Sequence, residues 1–197
     1  MSKNNDMIFI GPQAAGKTTL FNVLQGDAAP TRHEATVSNG ESTTIKTSAK
    51  RRFFNLLRGK LSVIDAGGKM SEFRHYKEWC NYAEKVIIVF NGVELLEEID
   101  DYKEGGETSS FLKMVLSQLE EIDASDLYFI ATHADLYRGG GSMQEAIQQK
   151  INQVNEEYVS LFKTKRYPMI SQMRGCLFEV DATDPDSVEG VFSSILK

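Results

Sequence analysis

A loop with the pattern Gly-x-x-x-x-Gly-Lys-Thr occupies residues 11–18. Glycines at both ends let the backbone turn tightly, so that its N–H groups can converge on one spot and bind phosphate oxygens. Lys17 could contact the β- and γ-phosphates of a nucleotide, and the Thr18 hydroxyl could ligate Mg²⁺. The residues expected to contact the nucleotide here are Gly11, Ala14, Ala15, Gly16, Lys17, Thr18 and Thr19. The loop therefore predicts binding of a nucleoside triphosphate, without identifying the base.

The sequence on either side of this loop predicts the elements that would position it. Residues 7–10 form an apolar run typical of a buried strand, and residues 20–24 show the apolar spacing of a helix. A helix that begins near Lys17 would direct the positive end of its dipole toward the phosphates. Because spacing and flanking elements agree, a chance glycine turn is a poor explanation.

The rest of the chain alternates between predicted strands and predicted helices. Strands are predicted over residues 7–10, 44–54, 60–65, 85–90, 127–131 and 176–180, and helices after the loop, over 70–83, around 111–122, over 142–162 and after Asp184. This order predicts an α/β fold of the P-loop NTPase class, with a six-stranded, mostly parallel sheet and helices on both faces. One strand near residues 44–65 is expected to be antiparallel, because no helix separates that pair. We interpret the acidic residues 94–107 as a solvated loop.

Length and composition limit the classes of protein that need to be considered. The 197 residues, 41% of them hydrophobic, suit a single domain spanning residues 1–197. The net charge of −6 argues against direct, nonspecific binding to nucleic acid. Two cysteines do not make a disulfide scaffold, which is typical of a reducing cytoplasm. No leader, transmembrane run or lipidation motif is evident, so we expect a cytoplasmic protein with no intrinsic membrane anchor, which a partner could recruit to a membrane.

Polar residues at two later strand ends could identify the base. Asp135 follows the strand predicted over 127–131, and its carboxylate could accept hydrogen bonds from N1–H and the exocyclic amine of guanine. Adenine lacks this pair of donors, so Asp135 would favour GTP over ATP. At the end of the last strand, the backbone N–H of Ala182, between Asp181 and Thr183, could donate to guanine O6. Carboxyl ends of parallel strands share one edge of a sheet, so these residues are expected to lie near the phosphate loop.

These motifs together resemble a small GTPase of the Ras superfamily, nearest the Arf and signal-recognition-particle-receptor-β branch. The resemblance covers the chain in order and rests on four segments: Gly11–Thr19, Asp65–Gly68, Thr132–Asp135 and Asp181–Thr183. The first contains the Arf-like run Ala-Ala-Gly-Lys-Thr-Thr, and the second matches the Asp-x-Gly-Gly motif of that branch. The family is built on a G domain that binds GTP or GDP with Mg²⁺.

The resemblance also implies the role of each residue around the γ-phosphate. Asp65 would hold Mg²⁺ through a water molecule, and the N–H of Gly68 would contact the γ-phosphate. Thr36 fits best as the threonine that ligates Mg²⁺ in the triphosphate state, although Thr31 and Thr43 remain alternatives. The γ-phosphate would then order residues 27–44 and 66–75 as the two switch segments.

Three positions depart from the family pattern: Thr132, His133 and Lys69. Thr132 replaces an asparagine that normally braces the phosphate loop, and His133 replaces a lysine that covers the guanine plane. Lys69 stands where the family has the glutamine that orients the attacking water, and Gln13 lies in the loop close to the γ-phosphate. We therefore assign Gln13, Gly68 and Lys69 to the hydrolytic step, and expect nucleotide binding with slow hydrolysis.

Three functions are compatible with these residues. The first is a GTP-binding switch, acting as a slow GTPase, whose output is the binding of an unidentified effector or regulator protein. The second is an ATP-using enzyme built on the same loop, although an arginine-rich lid and a transporter signature are missing from the sequence. The third is a pseudo-GTPase scaffold that binds its partner whatever the nucleotide.

Overall fold

The computed structural model describes residues 6–26, 43–45, 61–65, 83, 85–100, 108–112, 126–150, 152 and 176–196. Its elements are β1 Asp6–Ile10, α1 Lys17–Gln25, β2 Thr43–Ile45, β3 Leu61–Asp65, β4 Lys85–Asn91, α2 Gly92–Asp100, β5 Asp126–Thr132, a 3-10 helix Ala134–Leu136, β6 Leu177–Glu179 and α3 Pro185–Ile195. Residues 108–112 and 143–150 are also helical. The helix predicted over 70–83 lies outside the described residues except for Ala83.

Strands β1, β4, β5 and β6 form a parallel sheet. Ile8 of β1 pairs with Val86 of β4, and Ile88 of β4 pairs with Phe129 of β5. β6 continues the sheet beyond β5, with which it is also parallel. The five residues from Val86 to Phe90 are fully buried, as expected for a central strand covered on both faces. The predicted α/β fold with a parallel sheet is confirmed.

Two further segments pair with this sheet on the β1 side. β3 lies parallel to β1, with Asp65 opposite Phe9, and β2 lies antiparallel to β3. The order of the described strands is β2-β3-β1-β4-β5-β6. Much of the chain between residues 27 and 82 lies outside the described part. The strand count of the complete protein therefore stays a prediction.

The two faces of the sheet bury two separate apolar clusters, because successive side chains of a strand point to opposite faces. On one face, Phe9 packs against Phe192 of α3, with ring centroids 5.9 Å apart and an interplanar angle of 74°. Leu20 and Leu24 of α1 join the same cluster. The opposite face buries Ile8, Ile10, Ile88 and Phe90 against Leu95 of α2, Phe111, Met143 and Ile147. Within the described part of the chain, helices thus cover both faces.

Helices α1 and α3 have the boundaries that their sequence predicts. α1 begins at Lys17 and ends at Gln25. The next residue, Gly26, has a φ of 81° and caps the helix by donating its N–H to the carbonyls of Asn22 and Val23. α3 begins with Pro185, and the Asp184 side chain caps it by accepting from the N–H of Asp186 at 3.1 Å. Among the described helices, none combines the length and apolar character that crossing a bilayer requires.

Residues 94–100 are not a solvated loop, so that part of our sequence interpretation is wrong. They belong to α2, which starts directly after β4 without a connecting loop. Asn91 Oδ1 caps this helix by accepting from the N–H groups of Val93 at 3.1 Å and Glu94 at 3.2 Å. Leu95 is buried in the core. The acidic composition of this stretch obscured its helical apolar spacing.

Glu98 of α2 caps the next helical segment. Its two carboxylate oxygens accept from the N–H of Thr108 at 2.9 Å and from the N–H of Ser109 at 2.6 Å. These amides belong to the first turn of helical residues 108–112, where N–H groups have no partner within the helix. Glu98 therefore joins the two helical segments that cover one face of the sheet.

Candidate functional site

The loop between β1 and α1 has the backbone geometry of an anion-binding cradle. Ala14 and Gly16 both adopt left-handed conformations, with φ of 60° and 83°. Such conformations turn neighbouring N–H groups toward a common concave side. A Cβ atom added at Gly11 would lie 2.0 Å from the carbonyl oxygen of Val89, so the loop packs directly on the backbone of β4 and Gly11 must be glycine.

Lys17 places its charge inside this loop. The residue is only 7% exposed, and its Nζ donates to the carbonyls of Gly11 at 3.0 Å and Pro12 at 2.8 Å. Pro12 thereby contributes a contact that the sequence analysis did not assign. A buried ammonium group held by loop carbonyls at the amino end of α1 fits a phosphate, which it would bind through charge-assisted hydrogen bonds.

The other predicted loop residues differ in exposure. Ala15 is buried, whereas Gln13 and Ala14 are exposed at the loop surface. Thr18 and Thr19 are half-buried in the first turn of α1, whose amino terminus belongs to the cradle. The structure therefore brings the predicted phosphate-contacting residues together at one end of β1.

Thr132, at the carboxyl end of β5, is fully buried and bonded to the loop. Its Oγ1 lies 2.9 Å from the carbonyl oxygen of Ala15 and 3.0 Å from that of Phe90. Its methyl carbon would be 3.3 Å from a Cβ atom on Gly16, so Thr132 also closes over the loop backbone. The threonine that departs from the family asparagine thus contacts the phosphate loop itself.

The segment after Thr132 presents the predicted base-reading residues. His133 has a φ of 65° and caps the 3-10 helix, with its Nδ1 at 2.9 Å from Thr132 Oγ1. Asp135 is exposed, and its backbone carbonyl accepts from Arg138 Nη1 at 2.6 Å. Arg138 was not assigned from the sequence, because its partner is a main-chain atom.

The segment 181–183 lies beside this one, because the N–H of Ala134 donates to the carbonyl of Val180 at 3.3 Å. Asp181 Oδ1 accepts from the N–H of Thr183 at 2.8 Å and from its hydroxyl at 2.7 Å. These bonds form a tight turn around Ala182, which is 7% exposed. In this structure Asp181 and Thr183 shape the turn, and the N–H of Ala182 remains the predicted contact to the base.

Several predicted residues are not placed with their side chains. Gly68, Lys69, Thr31 and Thr36 lie outside the described residues. For Asp65 and Thr43 the structure gives the backbone, at the end of β3 and the start of β2. Among described residues, no group of three or more His, Cys, Asp or Glu side chains is arranged to hold a metal ion. The predicted roles of these residues in Mg²⁺ binding and hydrolysis stay predictions.

Replacing Ala14 by glycine should stabilise the protein. The left-handed conformation of Ala14 costs an alanine about 1–2 kcal/mol, and the greater freedom of glycine in the unfolded chain offsets roughly 0.4–1 kcal/mol of that gain. We expect the free energy of unfolding in urea to rise by up to about 1.5 kcal/mol. Ala146→Gly, in the helical residues 143–150, is the matched control and should lower it by about 1 kcal/mol. Destabilisation by both substitutions would show that Ala14 is not strained.

Two solved structures share this fold across almost the whole chain. One is described as the structure of the mammalian SRP receptor; it is 21% identical, covers 96% of this chain and 99% of its own, and has a TM-score of 0.63. The other is described as a probable GTP-binding protein, EngB; it is 16% identical, covers 97% of this chain and 98% of its own, and has a TM-score of 0.54. Curated protein sequences gave no significant match.

A comparison with protein-family models identifies the chain more directly. The model described as "50S ribosome-binding GTPase" matches residues 6–169. This match begins at β1 and includes the phosphate loop, the sheet from β1 to β5 and the segment around Asp135. Because the model spans well over half of the sequence, this protein belongs to the 50S ribosome-binding GTPase family and contains a GTP-binding P-loop GTPase domain.

Proposed function

We propose that this protein is a GTP-binding molecular switch of the small-GTPase type, nearest the Arf and signal-recognition-particle-receptor-β branch. One observation carries the proposal: the buried Lys17 in the phosphate loop is joined, through Ala15 and Thr132, to the segment that presents Asp135. The proposed phosphate site and the proposed base site would thereby be connected at the carboxyl end of one sheet. In this function, the output is the binding of an effector or regulator protein, and it depends on the nucleotide state.

Identification of the nucleotide that copurifies with the protein tests this proposal. Denaturation followed by chromatography should release GDP or GTP, because the exposed Asp135 carboxylate would pair with two donors of guanine. ATP or ADP would instead support the ATP-using enzyme, which is the less favoured alternative for a member of a GTPase family. If the protein releases no nucleotide and added labelled GTP also fails to bind, the pseudo-GTPase scaffold becomes the better description.

We propose that Mg²⁺ accompanies the nucleotide. The Thr18 hydroxyl, in the first turn of α1, fits as one oxygen ligand beside the phosphate loop. Asp65 and Thr36 would complete the protein's part of the site. When bound, the ion would neutralise charge on the phosphate oxygens. Removal of Mg²⁺ with a chelator should therefore accelerate release of bound nucleotide.

Hydrolysis by the isolated protein should be very slow, at about 10⁻⁴ s⁻¹ or less, the scale of an unassisted Ras-type site. Lys69 would occupy the position of the water-orienting glutamine, and a charged lysine has three donors and no acceptor for the water. Gln13 is exposed in the loop, and the N–H of Gly68 would contact the γ-phosphate. The measurement is a single-turnover assay on preloaded protein, with wild type beside Lys69→Gln. Turnover near one per second without a partner would contradict this proposal.

We further propose that residues 1–197 form one G domain with six strands, of which the antiparallel one is at an edge. The pairing of β2 with β3 supports this arrangement.

We expect the protein to act in the cytoplasm, and a partner would be needed to bring it to a membrane. Fractionation of cells that express the tagged protein would test this expectation, and recovery in the membrane fraction without any partner would contradict it.

A further inference from the structure

The hydroxyl group of Thr132 lies among three polar atoms. Its Oγ1 is 2.9 Å from the carbonyl oxygen of Ala15, 3.0 Å from that of Phe90 and 2.9 Å from Nδ1 of His133. Thr132 is 0% exposed. The most favourable arrangement is therefore the one that leaves the fewest of these contacts without a hydrogen atom, because a buried polar contact without a hydrogen between its partners is unfavourable.

Counting hydrogen atoms fixes the direction of the bonds. A hydroxyl group has one hydrogen and two acceptor lone pairs, whereas a carbonyl oxygen can only accept. If Nδ1 of His133 were also an acceptor, three acceptors would compete for one hydrogen. If Nδ1 carries a hydrogen, it donates to Oγ1, and the threonine hydrogen is left for the carbonyls of Ala15 and Phe90. The second arrangement leaves fewer contacts without a hydrogen, because only the two carbonyls then share the threonine hydrogen.

We infer that the hydrogen of His133 lies on Nδ1, and that Thr132 is a positioning residue. Thr132 accepts from His133 and donates its own hydrogen toward the phosphate loop. The order of donation runs from His133 to Thr132 and from Thr132 to the carbonyls of Ala15 and Phe90, which share its one hydrogen. Ala15 precedes Gly16 and Lys17, so this series of hydrogen bonds fixes the backbone at the point where the phosphate loop ends and α1 begins. The inference deepens the proposed function, on which its role in nucleotide binding rests.

The link joins parts of the molecule that are 117 residues apart in sequence. His133 leads into the 3-10 helix that contains Asp135, so the position of the base-reading segment is coupled to that of the phosphate loop. The methyl group of Thr132 also faces the same loop, since a Cβ atom added at Gly16 would lie 3.3 Å from it. Loss of the hydroxyl alone should therefore weaken phosphate binding while the packing is retained.

The tautomer of the neutral imidazole can be read directly by NMR. The protein has three histidines, and in ¹⁵N-labelled protein at about pH 8.5 an ordinary histidine is neutral. Two-bond ¹⁵N–¹H correlations should show that His133 carries its hydrogen on Nδ1, both with and without GDP. The signals of His133 are identified because they disappear in the His133→Asn variant. Hydrogen on Nε2 alone would overturn the inference. This measurement does not depend on nucleotide binding.

Two variants of Thr132 test the consequence for binding. Thr132→Val keeps the shape but removes the hydroxyl, and should weaken GDP binding about tenfold. It should also remove the Nδ1–H preference of His133. Thr132→Ser keeps the hydroxyl, and should retain both the tautomer and near-wild-type affinity. Equal GDP affinity of wild type and Thr132→Val, both folded, would refute the positioning role and leave the proposed function intact.

Failure of the proposed function would look different. Wild-type protein that binds no guanine nucleotide would contradict GTP binding, whatever the tautomer of His133. If Thr132→Val does not fold, Thr132→Ser and the wild-type NMR spectrum still decide the inference. Loss of the Nδ1–H signature in Thr132→Ser would count against it.

Discussion

Replacing Lys17 by alanine should weaken the binding of GTP and GDP by at least about 100-fold, equivalent to roughly 2.7 kcal/mol. The substitution removes a cation that is 7% exposed and held at the centre of the phosphate loop. Hydrogen bonds that involve a charged group contribute about 1.5–3 kcal/mol each, and Lys17 would make more than one to the phosphates. The carbonyls of Gly11 and Pro12 would also lose their donor, so the loop itself should become less well fixed.

Fluorescent nucleotide titration would measure this loss. Lys150→Ala, in the helical residues 143–150, makes the same substitution outside the loop and should leave affinity unchanged. Circular dichroism of Lys17→Ala would show that the sheet and helices persist. Affinity within a few-fold of wild type in the folded Lys17→Ala protein would mean that the nucleotide binds elsewhere.

Replacing Asp135 by asparagine should exchange the preferred base from guanine to xanthine. The carboxylate would accept from two guanine donors, and an amide presents a donor in place of one acceptor. Leaving those base donors unpaired costs on the order of 2–4 kcal/mol, or roughly 30- to 1000-fold in affinity for GTP. Xanthine carries a carbonyl where guanine has its exocyclic amine, so the amide of the variant can donate to it.

Competition of labelled GTP with ATP and xanthosine triphosphate measures both parts of this prediction. Asp186→Asn provides a matched control, because Asp186 is another exposed aspartate, in the first turn of α3. That control should keep the wild-type preference for guanine. Equal competition by ATP and GTP in the wild type would show that Asp135 does not read the base.

The parts of the fold that local sequence determines were predictable. The glycines, Lys17 and the adjoining apolar runs predicted the strand, the loop and the helix that follows it. The start of α3 followed from Asp184 and Pro185 for the same reason, since capping depends on residues next to one another.

Features that depend on distant contacts were not predictable in the same way. The contact of Thr132 with Ala15 requires β5 to pair with β4 in the register that places Thr132 opposite Asn91. No local pattern encodes that register. The sequence therefore showed only that Thr132 replaces the family asparagine, whereas the structure shows a hydroxyl contact with the loop. The error at residues 94–100 has a different cause. Asn91 caps this helix and Leu95 is buried, but the acidic residues around Leu95 resemble those of a solvated loop.

The Glu98 carboxylate ties together the two described parts of the chain that flank residues 101–107, namely Glu98 itself and the amides of Thr108 and Ser109. An insertion there would lengthen a connection whose ends are already held, and each doubling of loop length costs only about 0.6 kcal/mol in closure entropy. Helix α2 also carries the chain roughly 13 Å from the carboxyl end of β4. A peptide tag or fluorophore inserted into this segment would therefore give a handle for immobilisation or distance measurement that leaves the nucleotide site accessible. The same insertion at Gly92 would separate Asn91 from the amides that it caps.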